Sequence, residues 1–596
     1  MKIRQKISLT YLPYWRVMAD IVNYNIVSAI LFAAINFVLK QIGYFLIRSA
    51  GRVAVTTGDP EFFYKTWQGP LLVIIAIVTL FLYVAFDLNA QIIYASKLLN
   101  NKPDLLQSIK EGLYSIPKFF TIDGLGIVLY IALIAPLLSF GLSISLTENF
   151  YIPNFIYSVI VDNTLYHILY YLFLLIFLIL GVVNIFTIHG VLLSGLKSNK
   201  ADDESRAIMR KNWKDFLKQN FLFVLASVLA QLGSVLFVGI IPGIFLIIFK
   251  DRLPRPGMIG IFLLLICVVI IAVLNLFNRT FYIIRMTQLY YRYRGEEKPL
   301  IRRRSKKAMV MTFIRVLLVV VMVGLVSFIL DEHFDEILGK DVETKLVAHR
   351  AGGSEAPENT VKGIEKAIEL GAYGAEIDIQ RTKDGYYILN HDNNFARLCS
   401  SSAKPQDLTL EEVKQLTIKD PNFPDDPQEV ATFEEILDAC KGRIILFTEL
   451  KGNTADEQMV DDAVRIIKEK GMEDEVVLIS LKYNLIAYCE EKYPEMQTGY
   501  LTFASFGNTA ELNCDFFGLE EEASTSTVIQ SIHDADKQVM VWTVNNSSSQ
   551  GHFIRSNADC IITDNVSQAI ALTKELNERG RVEILMDLVL DILGVR

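Results

Sequence analysis

Long uncharged apolar runs fill this chain up to Leu330 and then stop, and that break limits the fold more than any other feature of its 596 residues. A helix crossing the hydrocarbon core of a bilayer needs about 20 apolar residues. Seven stretches meet this: 24–47, 70–95, 123–147, 165–195, 220–249, 257–284 and 309–330. With 52% hydrophobic and 21% charged residues, the chain is too apolar for one water-soluble globule, so lipid must cover part of it. Two bodies are expected: a polytopic membrane domain over 1–330 with about seven helices and, after a linker at 331–344, a body in which polar and short apolar stretches alternate. The first apolar run is long and follows a charged stretch, 1–20, which reads as a retained helix and not a cleaved signal.

Basic loops favour the cytoplasmic side of a membrane. The N-terminus and the second, fourth and sixth loops hold 24 Lys and Arg residues, from Lys2 to Lys307, whereas the first, third and fifth hold six: Arg48, Arg52, Lys65, Lys250, Arg252 and Arg255. The N-terminus is therefore expected inside and, across an odd number of spans, everything after Leu330 outside. Polar residues within the spans (Asn36, Asp87, Asn89, Asn184, His189, Gln231, Arg279 and Arg315) are expected to bond between helices or reach toward the interface, in preference to lining a headgroup cavity. A net charge of -8 without a basic face excludes a nucleic-acid binder. Six cysteines without a C-x-x-C pair give neither a zinc site nor a disulfide framework.

From Lys345 onward, β-type runs alternate with helical patterns such as 455–470 and 525–537, the signature of βαβ units. Strands are expected at 345–349, 375–379, 386–390, 443–449, 476–480, 497–501, 516–519, 538–544 and 560–563. Eight or nine strands with intervening helices over about 240 residues predict an α/β fold of the (β/α)8 TIM-barrel type, with a doubly wound sheet as the alternative. In such a barrel the C-terminal strand ends build the site. His349 and Arg350 end the first strand, Glu376 and Asp378 lie on the second, His391 follows the third, Glu449 and Lys451 end the fourth, and Trp542 lies on a late strand.

Side chains two apart on a strand share a face, so Glu376 and Asp378 can converge on one cation, with Glu449 arriving from another strand. Three carboxylates without Cys or paired His ligands favour a hard ion, Mg2+ or Ca2+, over zinc. His349 and His391 suit general acid and base work, and Arg350 and Lys451 can hold the non-bridging oxygens of a phosphate. These are the parts needed to cleave a phosphodiester.

The run His349-Arg350-Ala351-Gly352-Gly353-Ser354-Glu355-Ala356-Pro357-Glu358-Asn359-Thr360, followed by Glu376-x-Asp378 and His391-Asp392, resembles the glycerophosphodiester phosphodiesterase family, which opens with H-R-G, P-E-N-T, E-x-D and H-D in this order. The resemblance spans about 345–573 and continues through Glu449-Leu450-Lys451 and Val541-Trp542-Thr543-Val544-Asn545; the membrane half is similar to the helical domain that precedes this barrel in some bacterial members. It implies a barrel over 345–578, an acid/base pair in His349 and His391, and one divalent cation held by Glu376, Asp378 and Glu449. It also implies phosphate contacts from Arg350 and Lys451, support from Glu358, and Trp542 packed beside the glycerol. The family products are glycerol 3-phosphate and an alcohol, reached through a cyclic phosphate or by direct attack of water. Ala351 departs from the pattern, standing where the family has Gly.

The expectation is thus a multi-pass cell-membrane enzyme with an extracellular catalytic domain, whose partners are a glycerophosphodiester or lipid-derived substrate and membrane lipids. Two alternatives are a lysophospholipase D acting on lysophospholipids, and a transporter or receptor whose barrel only binds. His189, His333, His533 and His552 have no matched partners and are read as structural, and the Glu520-Glu521-Glu522 run as a solvated loop, although Glu520 closely follows a strand and could face the cleft. An amphipathic helix is expected over 579–596, with Ile584, Leu585, Leu588, Val589, Ile592 and Leu593 on one face. It could pack on the barrel, dock on the membrane half, or join a second copy of the chain in a homo-oligomer.

Overall fold

The computed structural model describes residues 15–84, 88–100, 102–119, 156–157, 160–161, 163–249, 252, 255–296, 306–334, 343–579 and 584. Among these, five helical runs are long and apolar enough to cross a membrane: Ile21–Ser49, Thr164–Leu193, Ser198–Phe245, Gly257–Tyr293 and Val310–Glu332; Gln68–Thr79 is a shorter apolar helix. The expected span at 123–147 and the side chain of Asp87 lie outside the described residues. Helix Thr164–Val183 buries none of its residues although it is apolar all round, with Leu165, Ile168, Leu172, Leu175 and Ile179 exposed, as suits a helix solvated by lipid.

Polar groups in this half largely bond between helices. Arg315 donates to Asn23 Oδ1 (2.7 Å), Gln231 to Asn275 Oδ1 (2.5 Å) and Arg206 to Asn184 Oδ1 (3.2 Å), while His189 Nε2 lies 3.2 Å from Thr287 Oγ1. In a medium without competing water, such pairs hold neighbouring helices in register.

Eleven strands carry the argument here: β1 (Ala54–Thr56), β2 (Lys345–Ala348), β3 (Gly374–Arg381), β4 (Tyr387–Leu389), β5 (Ile445–Leu450), β6 (Val476–Ser480), β7 (Gln497–Thr502), β8 (Ser505–Gly507), β9 (Phe516–Glu520), β10 (Gln538–Trp542) and β11 (Cys560–Thr563). Eight of them form a closed parallel barrel in the order β2-β3-β5-β6-β7-β9-β10-β11, with β11 pairing back to β2. The run at 386–390 is the exception among the expected strands. Only a tight turn closed by Thr382 N–H donating to Tyr386 O separates it from β3, too short for a parallel crossover, so β4 returns antiparallel on β3 outside the barrel.

Alternation along the strands builds two cores. Val347, Phe447, Ile479, Leu501, Met540 and Ile562 fill the barrel interior, while Ala348, Ile377, Ile379, Leu446 and Leu478 face the surrounding helices. Those helices carry local stop and start signals, as in Val361–Leu370, where the Thr360 hydroxyl accepts from Gly363 N–H and Gly371 terminates the helix at φ 78°.

The two bodies are stitched together. Strand β1, in the segment between the first two apolar helices, pairs antiparallel with β8, which lies just past the C-terminal end of barrel strand β7. Within 579–596, Ile584 packs beside Ile261 and Phe334; the rest of that stretch beyond Arg579 lies outside the described residues.

Candidate active site

Strand register brings the acidic residues together. Glu376 and Asp378 point to the same side of β3, and Asp378 stands directly across from Glu449 on β5. All three side chains are buried, and one carboxylate oxygen from each lies within 4.8 Å of the others. Lys451, two residues past Glu449 and so on the same side, places Nζ 2.8 Å from Asp378 Oδ1 and 2.9 Å from Glu449 Oε2. One lysine does not balance three carboxylates. Burial, and then the neighbouring Asp378, pushes Glu376 up to about 8, and burial also raises Glu449. Burial acts on Asp378 in the same sense, but Lys451, His391 and Arg350 outweigh it and hold that carboxyl well below the ordinary range. A trio that cannot fully ionise with the charges present, made of oxygen donors alone, fits a hard dication.

The other inward residue of β3 positions a histidine. Gln380, two beyond Asp378, donates through Nε2 to Asn390 O (2.6 Å) and Asp392 O (2.7 Å), fixing the loop that carries His391. His391 Nδ1 lies 2.9 Å from Asp392 Oδ1, and Asp392 is in turn gripped by Arg397 Nε at 2.9 Å. Across the trio, His349 Nε2 lies 3.9 Å from Glu376 Oε2. Its Nδ1 lies 2.7 Å from Asp564 Oδ1, whose second oxygen accepts from Asn545 Nδ2 at 2.5 Å. Burial disfavours a charged His349, yet the Asp564 carboxylate more than offsets this and raises its proton affinity; conversely, His349 overcomes burial to bring Asp564 down to about 2.

The loop after β2 is held in an unusual backbone path. Arg350 (φ 48°), Ala351 (φ 70°) and Gly353 (φ 57°) are all left-handed. At the middle position the family has Gly and this chain keeps an alanine, at a steric cost of about 1–2 kcal/mol. The turn aims two amides at Glu376: Arg350 N–H donates to Oε2 (2.8 Å) and Ala351 N–H to its carbonyl (2.6 Å).

The Pro-Glu-Asn-Thr run resolves into separate tasks. Glu358 joins Arg350 Nη1 (3.1 Å) to a bidentate pair with Arg397 (2.6 and 2.8 Å), and these arginines outweigh burial to keep its carboxyl low. Asn359 both donates to Asp378 Oδ2 (2.8 Å) and accepts from Asp378 N–H (3.1 Å), and Thr360 caps the helix.

The structure therefore gathers His349, Arg350, Glu358, Glu376, Asp378, His391, Glu449 and Lys451 at one end of the barrel. Trp542 ends β10, half-buried against the interior cluster and in register with Glu520. Glu520 is buried, not solvated, and its side chain accepts from Glu522 N–H at 2.9 Å. Asp564, Asn545, Asn359, Gln380 and Arg397 were not singled out from sequence as parts of the site. Signals exist for three of them: Gln380 continues the spacing of two from Glu376 and Asp378, Asn359 lies within the Pro-Glu-Asn-Thr run, and Asp564 is an acidic residue just past the last apolar strand and two beyond the inward-facing Ile562.

Residues 349–568 match the glycerophosphoryl diester phosphodiesterase family, and residues 4–326 match the membrane domain of glycerophosphoryl diester phosphodiesterase. A glycerophosphodiester phosphodiesterase of Caldanaerobacter subterraneus subsp. tengcongensis is 25% identical over 243 residues, 39% of this chain and 99% of that protein. Glycerophosphodiester phosphodiesterase 1 of Mus musculus is 36% identical over 124 residues, 20% of this chain and 37% of that protein. Among solved structures, an Oleispira antarctica phosphodiesterase in complex with sn-glycerol-3-phosphate is 21% identical, covering 39% of this chain and 96% of its own, with a TM-score of 0.36. With both halves of the chain matched in order, it belongs to the glycerophosphoryl diester phosphodiesterase family, in the form that carries an amino-terminal membrane domain.

Proposed function

We propose that this phosphodiesterase cleaves glycerophosphodiesters to glycerol 3-phosphate and an alcohol with the help of one divalent cation, Mg2+ or Ca2+, held by Glu376, Asp378 and Glu449. The observation that carries this reading is the convergence of those three buried carboxyl groups, with His349 and His391 flanking them. When bound, the ion supplies positive charge to the phosphate and lowers the barrier to attack. Arg350 and Lys451 face the same pocket and hold non-bridging oxygens of the phosphate, Lys451 from its place beside Asp378 and Glu449. His349, whose Nδ1 is engaged by Asp564, presents Nε2 to the site and carries the proton to the leaving oxygen. His391, steered by Asp392, takes the proton from the attacking hydroxyl or water. Glu358 keeps the two arginines in place, and Trp542 forms an apolar wall for the glycerol carbons.

The membrane half, 1–330, anchors the barrel of 345–578 through the linker 331–344. A backbone ladder between β1 and β8 requires the first inter-helix segment and the barrel to lie on the same side of the membrane, which supports an even number of crossings between them. Together with the basic loops, this favours a cytoplasmic N-terminus and an extracellular barrel. Purified protein is expected to release glycerol 3-phosphate from glycerophosphocholine when Mg2+ or Ca2+ is present, and His391→Ala to abolish the release. Absence of turnover on every glycerophosphodiester tried with every divalent ion would reduce the barrel to a binding module.

A further inference from the structure

The segment between the first two apolar helices reaches onto the mouth side of the barrel. Its β1 residues pair Ala54 with Gly507, Val55 with Phe506 and Thr56 with Ser505. Asn508 N–H donates to Val53 O (3.0 Å) and Thr57 N–H to Ala504 O (3.2 Å), closing the ladder at both ends. Tyr500, from β7, donates its hydroxyl to Thr56 Oγ1 (2.5 Å), and Thr57 Oγ1 lies 3.3 Å from Thr502 Oγ1. Arg48, in the last turn of the first helix, pairs with Glu511 (2.9 Å), and the Tyr44 and Phe506 rings meet at a tilt of 59° with their centroids 6.3 Å apart. Gly58 then passes so near the next strand end that a side chain there would begin 2.9 Å from Leu481 O, the first residue beyond β6.

These contacts touch the C-terminal ends of two barrel strands, the end at which the carboxylates and histidines gather. They also lie close to the membrane surface. Ala54 is five residues from the end of the helix at Ser49, a reach of at most about 18 Å. On the same segment Tyr64 and Trp67 are 68% and 65% exposed immediately before the apolar helix Gln68–Val84, where aromatic side chains suit the headgroup layer. On the barrel side, Leu481 and Phe506 are exposed apolar side chains as well.

We propose that residues 53–58 form a strap that holds the catalytic rim at headgroup height, and that the substrate is a glycerophosphodiester carried by a membrane lipid. This rests on the phosphodiesterase reading above and narrows its substrate. With phosphatidylglycerol, water adds at phosphorus, the P–O bond to the lipid glycerol breaks, and that oxygen leaves protonated as diacylglycerol, with glycerol phosphate as the other product. Fixing the rim in the plane of the substrate replaces a search in solution by a high local concentration.

The test compares one diester in two settings, with full-length protein reconstituted in phosphatidylcholine vesicles. Glycerophosphoglycerol is offered in solution, and phosphatidylglycerol in the vesicle. Two variants open the strap from opposite sides: Gly507→Val, whose Cβ would lie 2.7 Å from Ala54 Cα and from Val53 O at a backbone φ of 120°, and Thr57→Pro, which removes the N–H given to Ala504. Wild-type protein is expected to release glycerol phosphate from both substrates, and each variant to keep its rate on the soluble diester while losing about tenfold or more on the lipid. An equal fall on both substrates in both variants, or no fall on either, overturns the proposal. Wild-type turnover of the soluble diester alone sinks the lipid substrate and leaves the hydrolase standing; turnover of neither sinks both.

Discussion

Replacing Asp564 by Asn preserves the shape of the His349 partner and removes only its charge. The variant asparagine can still accept from Nδ1, now 2.7 Å from Asp564 Oδ1, but no longer favours a protonated ring. A hydrogen bond to a charged partner contributes about 1.5–3 kcal/mol. The Asp564 side chain keeps 32% of its surface in water, which screens the interaction and selects the lower half of that range. The expected fall in kcat is about 13- to 45-fold. Because Asp564 raises the proton affinity of His349, its loss must also move the alkaline limb of the kcat profile to lower pH. Stability follows the same linkage. The raised His349 contributes fully below its unfolded value of about 6.5 and loses this as pH rises through its folded value. Asp564, brought down to about 2 by His349 against the effect of burial, contributes fully above an unfolded value of about 3.9 and loses this as pH falls toward 2. The melting-temperature difference between wild type and Asp564→Asn should therefore peak between about pH 4 and 6.5 and narrow on both sides. Turnover of glycerophosphocholine across pH, with scanning calorimetry alongside, reads both effects. An alkaline limb that stays in place would refute the assignment of His349 as a proton donor tuned by Asp564.

Three further outcomes test other parts of the site. Lys451→Met strips the positive charge shared by Asp378 and Glu449, and should cost about 3 kcal/mol in chelator but much less with saturating Mg2+, measured by denaturant unfolding. Gly353→Ala would set Cβ 2.3 Å from Asp564 O at a left-handed φ of 57°, so a loss of about 2 kcal/mol, or about 4–8 °C in melting temperature, should accompany a lower kcat; a neutral result would mean the two loops are not packed as described. Since burial and Asp378 push Glu376 up to about 8, cation binding near neutral pH must expel a proton, so affinity should increase as pH rises toward 8. Calorimetry of Mg2+ binding in buffers of different ionisation enthalpy would detect that release, and identical heats across buffers would count against it.

Strand-level order was readable because strands buried on both faces appear as short apolar runs, and Glu376-x-Asp378 was readable because a spacing of two is a local property of a strand. The same rule applied to Lys451, which shares a face with Glu449 and meets the carboxylates directly. Periodicity carries no pairing partner, which is why 386–390 looked like one more barrel strand although the short turn before it forces a hairpin. Asp564, held in turn by Asn545, meets His349 only through closure of the barrel, across 215 residues. The pairing of β1 with β8 joins two three-residue strands more than 400 positions apart, neither of which has a length or pattern to announce it. The charge asymmetry of the loops suggested a shared side for these segments, but not that they touch.

The most direct test is a cation titration of full-length wild type and Glu449→Gln with glycerophosphocholine as substrate. Chelation should abolish wild-type turnover, Mg2+ or Ca2+ should restore it, and the variant should need about tenfold more cation or fail to recover at any concentration. Turnover that survives chelation, or a variant with the wild-type cation requirement, would contradict a metal centre built from Glu376, Asp378 and Glu449.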